Sequence, residues 1–422
     1  MSTPETVLNI NAVAKRIKSL MPRYLERLKE QDSEDYTGAF QVFEEDTVLF
    51  ELLFSYPYIS RYLDYDYLCG ILHFFIVHNE IHDPVKAAEL MNEQIIGSKE
   101  HLDWVAVYPI NFVRSLGSRF GKRKVIEGSH IFGRFTLSEP QESHSALENF
   151  IREGYGVDHV DQSAYLHQSE PSDQALKKLP LLSFKVHGSD DARALTASTK
   201  LRYFCSLFEV FAVYFDAKEG MKTSHETNVH HGFFINKMTG DIDRTPLTKP
   251  TQMSFDPVPD FIQTLKDNDF SYFSELVFHS NDTLFKKLRS ALYFFSKGLN
   301  GSDDILNFIS YVIAIEAIFS KDKNNPIKIT LSEHIAILCY PPEERFDIFK
   351  RIKAIYDERS KIVHSGQFDL SQDMIRQARE IAATAIYHCF LLYRELKAEE
   401  SDNKKIEGLF FQKLQHKRLG II

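Results

Sequence analysis

The chain has 422 residues, 43% hydrophobic and 26% charged, with a net charge of −9; this is the balance of a globular protein, and the length points to two domains rather than one. No run of about eighteen uncharged apolar residues occurs, which excludes a membrane-spanning helix, and the opening MSTPETVLNINAVAKRIKSL lacks the apolar core and small-residue cleavage site of a secretory signal. The cysteines Cys69, Cys205, Cys339 and Cys389 have no paired spacing, so neither a zinc site nor a disulfide framework is expected and a reducing cytoplasm fits.

Val13, Ile17, Leu20, Tyr24 and Leu28 recur at three- and four-residue steps and predict an opening helix. Pro22 within it predicts a kink or two short helices. Residues 46–78, dense in Phe, Leu, Tyr and Ile, read as buried helices. Asp83-Pro84 then supplies an N-cap and a first-turn proline for a helix to about Ile96. Strands are expected in 125–138 and 179–187, followed by a long helix from Ala192 to Phe215. A hairpin over 230–246 turns at Thr239-Gly240-Asp241. The front, residues 1–250, is thus an α+β region of no recognisable type.

The proline-rich stretch PLTKPTQMSFDPVPD (246–260) marks a boundary, with a linker placed at 251–280. Behind it the pattern is helical alone. Helices are expected at 282–298, 303–320, 342–364 and 371–397, with a short one at 331–340. Asp303 and Ser371 are suitable N-caps, and Gly366 stands where a helix should stop. The fold class is therefore an α+β front followed by an all-α bundle at 281–422, mainly α overall. Charge divides in the same place. From Phe285 onward the chain carries 22 Lys+Arg against 18 Asp+Glu, leaving an excess of 13 acidic residues in front. A mildly basic rear suits a domain that handles nucleic acid, although chance variation between two domains would look the same.

Chemistry is concentrated in AIYDERSKIVHSG (354–366), where an arginine, four residues and a histidine follow one another. An imidazole exchanges protons near neutral pH, and a guanidinium offers fixed charged donors to a phosphorus centre gaining negative charge. The spacing of Arg359 and His364 is the R-x4-6-H signature of the HEPN superfamily, which the rear segment resembles. The resemblance is closest to its ApeA-like branch, in which a helix like YVIAIEAIFS (311–320) precedes a Y-x-x-R-S-x-x-V-H-x-G element; that element here is Tyr356, Arg359, Ser360, Val363, His364 and Gly366. The resemblance covers roughly residues 280–400, under a third of the chain, and implies an HEPN-like bundle.

It further implies a metal-independent endoribonuclease without cofactors, in which a ribose 2′-hydroxyl is the nucleophile and Arg359 and His364 are the catalytic residues. The implied partners are RNA, tRNA among the candidates, and a second copy of the chain, since HEPN nucleases pair two motifs across a homodimer. The implied setting is bacterial defence against phage by abortive infection, with the front region sensing a phage-derived trigger, restraining the nuclease or choosing the RNA. A non-catalytic HEPN-like module for RNA binding or dimerisation is the alternative.

Five residues along an α-helix turn about 500°, so Arg359 and His364 lie roughly 140° apart and cannot share one face. Either His364 lies beyond the last full turn, or a second copy completes the site. Glu316 stands among Val312, Ile313, Ile315, Ile318 and Phe319. An unpaired charge there would be costly, so a cationic partner is expected, Arg359 first, unless Glu316 lies on a solvated edge. Ser360 and Lys361 are supporting candidates for touching phosphate or else ordinary surface residues; Tyr356 reads as packing.

Other motifs are weaker. HNEIH (78–82) places Glu80 one position too late for a zincin, and His73 adds no complete ligand set, so a partly buried polar stripe is expected there. His225, His230 and His231 are read the same way. Arg119, Lys122, Arg123 and Lys124 form a basic cluster that either contacts nucleic acid or is a solvated loop. Lys413, His416, Lys417 and Arg418 give the tail a basic end that extends an RNA-binding surface or lies free.

Overall fold

A computed structural model describes residues 7–30, 42, 47–112, 126–161, 179–216, 232–245, 252–253, 260–319, 327–365 and 369–420. It opens on helices α1 (Ile10–Glu30), α2 (Thr47–Phe54), α3 (Pro57–Tyr62), α4 (Tyr65–His73) and α5 (Pro84–Gly97), with a π-helical turn at Phe74–His78 after α4. The stripe Val13, Ile17, Leu20 and Tyr24 is buried as its spacing requires. Pro22 lies inside α1, which nevertheless runs as one element instead of two. The buried stripe continues on both sides of the proline, so tertiary packing outweighs the lost backbone hydrogen bond. Asp83 caps α5 by accepting the Val85 N–H at 3.0 Å, and α1, α2, α4 and α5 close a first core around Leu49, Leu53, Leu68, Leu72, Met91 and Ile95.

A small sheet follows. Its strands are β1 (Asp103–Pro109), β3 (Ser129–Phe132), β4 (Phe135–Ser138), β5 (Leu181–His187), β6 (Gly232–Asn236) and β7 (Ile242–Thr245); β2 (Asn111–Phe112) pairs separately with β8 (Gln252–Met253). The order is β3-β4-β5-β1-β6-β7, every pairing antiparallel. The expected 125–138 strand signal is a hairpin, β3–β4, and the expected 230–246 hairpin is β6–β7. Gly240 sits in the latter's turn at φ 76°, a conformation that disfavours a side chain.

Side chains alternate across the sheet, as a strand's two-residue period demands. Val105, Val107, Leu181, Phe233 and Ile235 pack on α6 (His144–Tyr155) through Leu147 and Ile151. Ala106, Tyr108, Leu182, Phe184 and Phe234 face the other way, into the largest core. That core is entered by the long helix α7 (Asp190–Tyr214), whose Phe204 lies 4.8 Å from Phe135, ring to ring. The start of α7 is pinned by Arg193, only 1% exposed, whose guanidinium lies 3.9 Å over the Trp104 ring and pairs with Asp190 and Asp243.

The remaining elements are helices: α8 (Phe261–Asp267), α9 (Phe270–His279), α10 (Thr283–Asn300), α11 (Asp304–Phe319), α12 (Ile327–Cys339), α13 (Arg345–Ser365), α14 (Gln372–Glu399) and α15 (Ile406–Arg418). The molecule is mainly helical, with a small antiparallel sheet in its front half. The expected caps make their bonds: Asp303 accepts the N–H groups of Ile305 and Leu306 at 2.9 Å, and Ser371 accepts that of Met374 at 3.2 Å. Gly366, the expected stop, lies outside the described residues, but α13 ends at Ser365.

Within the expected linker 251–280, residues 261–267 and 270–279 are the helices α8 and α9, and Phe261, Phe270 and Phe273 are fully buried. They connect α7 to the bundle: Phe211 meets Phe270 at 5.0 Å and Tyr387 of α14 at 5.3 Å, while Tyr214 stacks on Tyr387 at 4.1 Å. Each such phenylalanine contributes roughly 1.5–3 kcal/mol by burial. One continuous apolar core therefore runs from β1 to α15, across the expected boundary.

Candidate active site

α13 turns Ile348, Ile352, Ile355, Tyr356 and Ile362 inward. Arg359, three residues after Tyr356 and seven after Ile352, falls at the edge of that stripe, its side chain 27% exposed. Across from it, α11 buries Val312, Ile315, Ile318 and Phe319 and leaves Glu316 at the rim, 22% exposed. The two helices thus bring a carboxylate and a guanidinium together at the margin of the core.

Glu316 Oε1 is held in two ways. The Tyr356 hydroxyl donates to it, and Arg359 Nη2 stands 3.8 Å away. That second distance is an ion pair without a hydrogen bond. Arg359 is the cation expected for Glu316, but Tyr356, expected only to pack, is the closer partner. Its spacing from Arg359 carried the signal, because residues three apart share a helix face. Burial, and then the bond to Glu316, push the Tyr356 hydroxyl far above its ordinary range, so it remains a donor. Arg359 Nε is buried with no hydrogen-bond partner among the described residues. The guanidinium is therefore oriented by one carboxylate while part of its donor set is unused.

His364 is exposed in the last turn of α13. It lies within the helix, not beyond it, so the rotation of about 140° from Arg359 applies, with a rise of about 7.5 Å between them. One copy of α13 does not bring the two side chains to one face. Ser360 is exposed, and Lys361, also exposed, pairs with Glu358 at 3.0 Å. Neither touches Glu316 or Arg359 in the contacts described.

The other sequence candidates do not join this group. His73 is buried in the first core against the Tyr24 hydroxyl, whereas Glu80 and His82 are exposed. No cluster of three metal-ligating side chains occurs among the described residues. Arg119, Lys122, Arg123, Lys124, His225, His230 and His231 lie outside the described residues. The basic tail does not lie free: it is α15, with Lys413 paired to Glu399 at 2.7 Å and Arg418 to Glu333 at 3.4 Å. Cys69, Cys205 and Cys389 are buried and Cys339 half-buried, all as free thiols. Burial holds the thiols of Cys205, Cys339 and Cys389 above their usual range, which disfavours the nucleophilic thiolate. No helix among the described residues is long and apolar enough to cross a membrane.

No family model, curated protein or solved structure matches the chain.

Proposed function

We propose that the chain is a metal-independent endoribonuclease of the HEPN type, its site composed of Arg359 and His364 from two copies of α13. The observation that carries this reading is the placement of both residues on one continuous helix, Arg359 held at the rim by Glu316 and His364 exposed about 1.4 turns on. One imidazole takes the proton of a ribose 2′-hydroxyl, and the resulting oxygen attacks the adjacent phosphorus. The bond to the 5′-oxygen breaks, and that oxygen receives a proton from the second imidazole. Arginine donors meet the charge that builds on the non-bridging oxygens. The products are a 2′,3′-cyclic phosphate and a 5′-hydroxyl, and DNA, lacking the nucleophile, is spared. A two-fold axis near the ends of the α13 helices places two arginines and two histidines in one cleft, and two-fold dimers are the commonest oligomers.

In this reading RNA, tRNA among the candidates, is the substrate, and the work is done in the cytoplasm. The front region restrains the nuclease until a phage-derived trigger arrives, and uncontrolled cleavage then halts the infected cell. A second reading is favoured by the Arg359–Glu316 pair itself: a guanidinium already facing a carboxylate suits a bundle that binds RNA or dimerises without cutting. Incubating the purified protein with total RNA and tRNA in excess EDTA, then mapping the ends, separates the two. Cyclic phosphate ends are expected; loss of cutting on chelation with recovery in magnesium overturns the mechanism, and binding without cutting supports the second reading.

A further inference from the structure

A second group of cations lies away from α11 and α13. α7 and α10 run alongside each other, and each offers residues at the three- and four-residue steps of a single helix face. From α7 come Thr199, Arg202 and Ser206; from α10 come Lys286, Arg289 and Tyr293. These two faces wall a cleft of about 370 Å³. Neither Arg359 nor any other residue of α11 or α13 lines it.

Charge in the cleft is one-sided. Arg202, Lys286 and Arg289 form no ion pair among the described residues, whereas Lys287, one position along and turned to another face, pairs with Glu407 at 2.7 Å. Among the described residues, no Asp or Glu lines the cleft. Three like charges around one small volume repel one another, and an unbalanced cluster of this kind is stabilised by a ligand carrying several negative charges. At the floor, Ser206 is 1% exposed and its hydroxyl has no hydrogen-bond partner among the described residues, although it lines the cleft. A buried hydroxyl without a partner marks a position that a ligand oxygen would satisfy. Tyr293, at the mouth, is exposed, with the Arg202 guanidinium 5.5 Å from its ring centre and the Lys297 ammonium at 5.6 Å. An exposed ring backed by cations is a platform on which a flat heterocycle can stack.

We propose that the α7–α10 cleft binds a nucleoside di- or triphosphate, with Arg202, Lys286 and Arg289 on the phosphates, Ser206 beneath them and Tyr293 against the base. Its volume falls in the range of small-molecule sites, and it is a compact cleft, not the extended basic track of a strand-binding groove. The site is independent of the nuclease reading, since it shares no residue with Arg359, His364 or Glu316.

Isothermal titration calorimetry of the full chain with pyrophosphate, with ATP and with a single-stranded RNA oligonucleotide tests the assignment. Pyrophosphate and ATP should both bind, ATP more tightly, and affinity should fall as salt rises. Arg289→Ala should weaken both by about tenfold or more, the usual loss for a charged hydrogen-bonding group. Lys286→Glu, at an exposed position where folding is not at stake, should weaken both as well, while Arg359→Ala should leave binding unchanged. Absence of binding by either anion at millimolar concentration overturns the proposal, as does unaltered affinity in both cleft variants. RNA binding that Lys286→Glu abolishes and ATP does not compete for overturns it too, by assigning the cleft to a strand.

Discussion

Two carboxylates of the continuous core, Glu316 of α11 and Glu209 of α7, occupy comparable positions in sequence, each inside an apolar helix, yet meet opposite surroundings. Glu316 sits at the rim, with a tyrosine hydroxyl and a guanidinium directed at one of its oxygens. Glu209 is on the inner face of α7, 1% exposed, with Asn300 donating to one oxygen at 2.7 Å and the other without a hydrogen-bond partner among the described residues. Desolvation pushes its carboxyl up to about 7, the interactions with Asn300 and Ser296 opposing only part of the effect. The comparison teaches that this core tolerates a buried acid in two ways: beside a cation at the margin, or close to neutral in the centre. Only the first way places a charged group where a ligand can reach it.

The largest effect belongs to the rim. On the proposed nuclease reading, Arg359→Ala and His364→Ala should each lower RNA cleavage by about 10²–10⁴-fold with the bundle still folded by circular dichroism. Mixing the two variants should recover part of that activity if the proposed two-copy cleft needs only one intact arginine and one intact histidine. Wild-type rates in both variants, or full activity from a protein that stays monomeric in the assay, would break the assignment.

The next effect belongs to the centre and appears as pH dependence of stability. Because the folded Glu209 carboxyl lies above its ordinary 4.5, its protonated form favours the fold. That contribution is complete below about pH 4.5 and is lost as pH rises through about 7, with a ceiling of about 3 kcal/mol. Glu209→Gln should therefore match the wild type near pH 4 and melt a few degrees higher at pH 8. Melting curves that stay parallel across this range would show that burial does not set the titration of Glu209.

The smallest effect returns to the rim. Glu316→Gln keeps an acceptor for Tyr356 and removes the charge facing Arg359, so cleavage should fall only about tenfold, with little change in melting temperature. A gain in activity would instead show that Glu316 competes with phosphate for the guanidinium.

Local signals in the sequence were readable to within a few residues. Asp83, Asp303 and Ser371 cap helices because a short acceptor before an apolar period has few other uses. The need of Glu316 for a cation was equally legible. Tyr356 was not, because a tyrosine beside isoleucines fits packing as well as hydrogen bonding, and only the facing helix decides. The linker at 251–280 was misplaced for a related reason. The prolines of 246–259 are a turn signal in the sequence, whereas Phe261, Phe270 and Phe273 owe their burial to α7, a partner fifty or more residues away. α15 was hidden by its charges; its apolar step Ile406, Phe410 and Leu414 is regular and fully buried. The α7–α10 cleft left no trace of any kind, since Arg202 and Arg289 are far apart in sequence and belong to no motif.

The aromatic seam between α7 and α14 decides where this chain can be cut. A fragment beginning at residue 281 would keep Tyr387 and Phe390 but lose Phe211 and Phe273, which cover them. It would expose an apolar wall and tend to aggregate, and its silence in an assay would say nothing about catalysis. A cut just before Asp103 removes only a helical layer with its own core and leaves the seam whole. The smallest severable unit that retains α13 in its native setting therefore begins with the sheet, well ahead of the first helix of the bundle.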